Sequence, residues 1–130
     1  MNTNLTLTGL LAALALAAPS AVHAGAASRP AVKITKTGLE SGRATGSLYG
    51  ARSGSGGQLI QCSMNVHDDD AYTIGLCEAV DATNVTLHCV TTDAKMLRII
   101  ASLNPASSIT FDSQNGFCTY INIVTSSASL

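Results

Sequence analysis

The chain has 130 residues, seven basic and eight acidic side chains, a formal charge of −1, three Tyr, two Phe and no Trp. That balance excludes the basic footprint of a nucleic-acid binder and the charged tail of a solvating scaffold. The length suits one domain, whose core has to be built mainly from aliphatic side chains.

Residues 1–24 read as a secretory signal peptide. Leu5 to Ala18 is a run of fourteen residues rich in Leu and Ala, and Val22 and Ala24 place small side chains ahead of a cleavage point between Ala24 and Gly25. The run is shorter than the ~20 residues needed to cross a bilayer, so no membrane span is expected in the mature chain. Met1 to Thr8 lacks the Lys or Arg that usually opens such a leader.

Residues 25–43 are polar, with Ala31, Val32 and Ile34 as their apolar nucleus, and read as a flexible lead-in or one loosely docked edge strand. Residues 44–130 form the expected domain. Ala44 to Gly50 offers a weak strand through Leu48 and Tyr49, interrupted by glycine. Arg52 to Gly57 is a Ser/Gly loop without the Gly-Lys-Ser/Thr ending or following helix of a phosphate-binding loop.

Gln58 to Thr92 reads as three successive strands, each with one cysteine. In the first, Ile60, Cys62, Met64 and Val66 alternate with Gln61, Ser63, Asn65 and His67, the period of two of a half-buried strand. The third sets Val85, Leu87 and Cys89 against Thr86 and His88 in the same way. In the middle strand, Tyr72 to Val80, Cys77 is placed inward, because the opposite choice aims Glu78 at the core without a partner.

Asp93 is a good N-cap for a helix over Ala94 to Leu103, with Lys95, Arg98 and Ser102 as a polar stripe. Asn104-Pro105 ends it. The wide apolar remainder predicts packing on the inner face of the sheet. A hairpin closes the chain: Ser108 to Asp112, a tight turn at Asn115-Gly116, and Phe117 to Val124. For a two- or four-residue loop, Ile109 and Phe111 share a face with Cys118 and Tyr120.

Four cysteines in a small exported chain predict two disulfides formed in an oxidising compartment. Fourteen, eleven and twenty-eight residues separate Cys62, Cys77, Cys89 and Cys118, which leaves no C-x-x-C pair to begin a zinc site. In a meander, Cys62 and Cys89 stand two strand spacings apart, beyond disulfide reach. A four-residue turn at Asp68–Ala71 favours Cys62 with Cys77 and Cys89 with Cys118. A one-residue change in either loop favours Cys62 with Cys118 and Cys77 with Cys89 instead.

The expected fold class is α+β: a small antiparallel sheet of about five strands, one helix on a face, stapled by disulfides. A small β-sandwich is the alternative. Ala51-Arg52-x-Ser, Gln58-x-Ile60-x-Cys62, the Cys77 and Cys89 spacing and Cys118-Thr119-Tyr120-Ile121 together resemble small secreted, disulfide-containing proteins of Gram-negative bacteria. The resemblance spans roughly residues 44–124. It implies export and disulfides, and brings no activity, cofactor or catalytic residue with it.

The densest polar group is His67-Asp68-Asp69-Asp70, whose oxygens and imidazole are candidate ligands for a divalent cation. Adjacent turn residues point in different directions, and the calcium-loop pattern of alternating ligands with a central Gly and final Glu is missing, so a solvated turn is the expectation. His88 and Cys89 fall on opposite faces of one strand, which speaks against a Cys-His nucleophile. The sequence lacks a G-x-S-x-G elbow. No catalytic residue and no cofactor is therefore assigned. The expected role is a non-enzymatic periplasmic or extracellular interaction module with an envelope or extracellular protein as partner. The alternative is a small secreted hydrolase or inhibitor-like effector using Arg52 or the acidic turn.

Overall fold

A computed structural model describes residues 29–67 and 72–126. The leader at 1–24, its cleavage point at Ala24 and Gly25, and the acidic turn Asp68–Asp70 lie outside the described residues. Seven strands form one mixed sheet: β1 (Lys33–Lys36), β2 (Gly42–Ser47), β3 (Leu59–His67), β4 (Tyr72–Val80), β5 (Thr86–Thr91), β6 (Ser107–Gln114) and β7 (Phe117–Thr125). They lie in the order β1-β2-β6-β7-β5-β4-β3. Two short helices, α1 (Leu48–Ser53) and α2 (Ala94–Ile100), complete the elements among the described residues.

This corrects the α+β expectation and its β-sandwich alternative. The fold is mostly β, its single sheet has seven strands rather than five, and one pairing is parallel. The two strands beyond the expected five are β1 and β2, which the sequence offers only as an edge-strand alternative to a flexible lead-in and as a weak strand at Ala44 to Gly50. β1 is mostly exposed and β2 is Gly-Arg-Ala-Thr-Gly-Ser, so neither shows the bulky alternation that marks a strand. Small residues are what the site demands, because Gly42, Ala44 and Gly46 are all buried on the inner face opposite Ser113, Phe111 and Ile109. Beyond Ser47 the chain turns into α1 instead of continuing as a strand. The Ser47 hydroxyl accepts from Gly50 N at 2.8 Å and caps the helix.

The sheet consists of two antiparallel ribbons, β1-β2-β6-β7 and β5-β4-β3. A narrow parallel seam joins them, a single ladder pair, Val90 with Phe117, with Val90 N donating to Gly116 O at 2.9 Å. Three further ties reinforce it. The Cys89–Cys118 disulfide crosses the seam. The Ser113 hydroxyl reaches Glu40 O and His88 O at 2.7 and 2.9 Å, sharing one proton between two carbonyls. Helix α2 touches both β4 and β7. The sheet also coils, bringing β1 and β2 into contact with β5, and Lys36 Nζ donates to Thr86 O at 3.0 Å.

Inside the coil, Ile60, Leu87, Ile109 and Phe111 are fully buried beside all four cysteines. Helix α2 closes this core over Gly75, where an added Cβ would stand 2.7 Å from Ile100 Cδ1 and 3.0 Å from Leu97 Cδ2. Glycine at this strand position lets the helix approach. Across β6 and β7 a bulge at Thr119 pairs Ser113 with Cys118 but Asp112 with Tyr120. Cys118 and Ile121 therefore both point inward, while Tyr120 is 45 % exposed, a correction to the expected shared face of Cys118 and Tyr120. The Asn115-Gly116 turn has φ of 52° and 82°, the two positive values a tight two-residue hairpin requires.

The Asp93 side chain caps α2 by accepting from Lys95 N and Met96 N at 2.9 Å each. The Met96 N–H bond is the main reason its carboxyl is held below the ordinary value of 3.8, with Lys95 and Arg98 assisting and desolvation opposing. A lowered folded-state value means the cap is fully effective above the unfolded-state value and is lost as pH falls through the folded one. At pH 7, Asp93→Ala is expected to lower Tm by about 5 °C. Thermal scans should show that gap narrowing below pH 3.8. A gap that stays constant into acid would show that the carboxylate is not the capping group.

Candidate functional site

The cysteines, Arg52, His67 and His88 have definite places among the described elements. Cys62 pairs with Cys77 and Cys89 with Cys118, with Cα separations of 4.1 and 4.9 Å. All four are buried. His67 ends β3, and the proposed cation ligands Asp68, Asp69 and Asp70 lie outside the described residues. Among the described residues no three His, Cys, Asp or Glu side chains gather as a metal cluster. Arg52 lies exposed in the last turn of α1. His88 stands on the outer face of β5, with Glu78 as its cross-strand partner, and Glu78 in turn accepts from Gln61 Nε2.

Two surfaces stand out instead. The first is the free half of edge strand β3. Cys62 and Cys77 face each other at 4.1 Å, the close spacing of a non-hydrogen-bonded pair. Residues of the same parity, Met64 and Val66, therefore turn their N–H and C=O groups away from β4. Helix α1 packs against β3, and the Val32 N–H donates to Gln58 Oε1 at 2.8 Å, tying that end of the strand to the start of β1. Toward Val66 the strand projects past the core, so Met64 is 42 % and Val66 76 % exposed. The sequence alternation had placed both inward.

The two edges of the sheet differ in chemistry. β1 is four residues long and carries Lys33 and Lys36, the charged kind of edge that resists pairing. β3 is nine residues long, Leu-Ile-Gln-Cys-Ser-Met-Asn-Val-His, without Lys, Arg, Asp, Glu or Pro. Such an edge is a template for another strand.

The second surface is an open groove of about 630 Å³, lined mainly by polar residues, on the outer face of β1, β2 and β6, near the Asn115-Gly116 turn. Arg43 forms its centre. Its Nε and Nη2 donate to the two Asp112 carboxylate oxygens at 2.6 and 2.7 Å, a planar fork that raises the guanidinium pKa further. With the Arg43 side chain 61 % exposed, the pair contributes little to stability. Tyr120, the cross-strand neighbour of Asp112, lies with its ring centroid 5.9 Å from the guanidinium carbon. The groove was not legible in the sequence, because Arg43, Asp112 and Thr119 come from three strands and meet only through the β2–β6–β7 register.

Among the described residues, no helix is long and apolar enough to cross a membrane. Two disulfides fit an oxidising, non-cytoplasmic compartment. No family model, no curated protein and no solved structure matches the chain.

Proposed function

We propose that the protein is an exported, non-enzymatic interaction module, periplasmic or extracellular, whose partner adds a strand to the free half of β3. The observation that carries this reading is the uncharged edge at Cys62–Val66, with outward backbone groups and exposed Met64 and Val66 side chains. Strand addition draws affinity from main-chain hydrogen bonds and specificity from alternate side chains, and this edge supplies both. The apolar leader, the two disulfides and the resemblance to small secreted bacterial proteins support the exported part of the reading.

Photo-crosslinking in the exporting cell tests it. A benzophenone residue at Val66 is expected to give one discrete protein adduct. The same probe at Leu39, which is 90 % exposed on another part of the surface, should give none. Met64→Lys, which places a charge on the edge, should abolish the Val66 adduct. Equal adducts from both positions, or an adduct that survives Met64→Lys, would sink the strand-addition reading.

A further inference from the structure

We infer that the groove at Arg43 and Asp112 is a binding site for a neutral oligosaccharide, separate from the β3 edge. Three features of the groove select that ligand class. The single cation among the lining residues is neutralised by the single carboxylate in a two-bond fork, so the site offers no net charge to attract an ion. Two of the five Arg43 N–H donors are committed to Asp112, and the rest, with the spare acceptor capacity of the carboxylate, present donors and acceptors side by side. Adjacent hydroxyls on a sugar ring, each both donor and acceptor, match that array.

The bulge supplies the second feature. Because Thr119 is the extra residue between the Ser113–Cys118 and Asp112–Tyr120 pairs, Thr119 and Tyr120 are both exposed outward in succession. A regular strand would have turned one of them into the core. The fold thus puts a hydroxyl in the groove lining and, beside it, an aromatic ring with part of its surface open to solvent. Sugars stack their C–H face on such rings while their hydroxyls reach polar neighbours.

Third, β2 and β6 are paired on both sides, so their backbone offers no free edge for a strand to pair with. That disfavours a peptide strand here. The opening is broad, which suits a ligand that keeps one face in water. One carboxylate in the lining suits holding a sugar rather than cleaving it, since glycoside hydrolysis ordinarily takes two. The floor is fixed in place: Ser41 Oγ accepts from Asn115 N at 3.0 Å, and Gly116 N donates to Glu40 O at 3.1 Å.

Amide chemical-shift titration of the protein, purified with both disulfides intact, tests the inference with chitotetraose, cellotetraose and maltotetraose as probes. At least one is expected to shift the amides of Thr35, Arg43, Asp112, Thr119 and Tyr120 and to saturate in the millimolar range. Tyr120→Ala and Arg43→Ala should each weaken that binding about tenfold. The amides of Phe111 and Leu87 report whether each variant is folded, and Asp112→Asn serves where one is not. Absence of shifts with all three probes overturns the inference. So do shifts that map to β3, an equal response to sodium sulfate, or an affinity indifferent to these substitutions.

Discussion

Cys89→Ala/Cys118→Ala is expected to destabilise the protein by about 3.6 kcal/mol on loop-closure grounds, against about 3.0 kcal/mol for Cys62→Ala/Cys77→Ala. Those figures follow from sequence separations of 29 and 15 residues, and the difference between them is small. Architecture enlarges it. Cys62–Cys77 lies within a ladder of nine antiparallel pairs that holds β3 to β4 whether or not the sulfurs are joined. Cys89–Cys118 crosses a seam with one ladder pair, so its loss leaves the seam held by α2, the Ser113 hydroxyl and the Val90–Gly116 hydrogen bond, with the Lys36–Thr86 and Val32–Gln58 hydrogen bonds tying the ribbons elsewhere. Out of a total stability of about 5–15 kcal/mol, that is a large fraction. Denaturant unfolding of the two double variants gives the comparison. Native-state hydrogen exchange should show the Val90 amide losing protection selectively when the seam disulfide is removed. A Cys62→Ala/Cys77→Ala variant less stable than the seam variant contradicts the two-ribbon account.

Phe111→Ala is expected to cost about 3–5 kcal/mol, enough to bring the protein close to unfolding at room temperature. Phe111 is fully buried, and the other four aromatic residues all remain at least 37 % exposed, so it is the one large ring filling the core. It sits between Ala44 and Ile121 in the cross-strand row, and Ala44 is too small to close the cavity that its loss would create. Phe117→Ala is the matched control. At 66 % exposed it should change stability by no more than about 0.5 kcal/mol. Comparable losses at both positions in urea unfolding would mean that the core extends to the outer face of β7.

The cysteine row shows how far reading the sequence reaches. Cys62, Cys77 and Cys89 stand in register across β3, β4 and β5, so the loop geometry required by each of the two candidate pairings is present at once. Register alone therefore does not choose between them. Cys62 and Cys77 occupy a non-hydrogen-bonded position, where the strands approach most closely, and the seam brings Cys118 to Cys89. The groove was illegible for a related reason. Thr119 lies in a strand with apolar residues on both faces, Cys118 and Tyr120 on one and Phe117 and Ile121 on the other, so nothing in Phe117-Cys118-Thr119-Tyr120-Ile121 marks where a bulge falls.

What the sequence determined by itself was local. Period-two alternation marked β3 and β5, Asp93 set the start of α2, and Asn115-Gly116 set the last hairpin, whereas the helix end expected at Asn104-Pro105 lies beyond the observed end of α2 at Ile100. Each rests on chemistry among residues close in the chain. Tertiary structure alone decided that β7 joins β5 in parallel, that the weak strand offered at Ala44 to Gly50 is set at Gly42–Ser47 and gives way to α1, and that the Thr119 bulge turns Tyr120 outward and Ile121 inward. It also decided that β3 outruns the core and leaves Met64 and Val66 exposed. The reason is the period of two itself: a shift of one residue sends every following side chain to the opposite face, and only the packing of distant segments around one core chooses between the two outcomes.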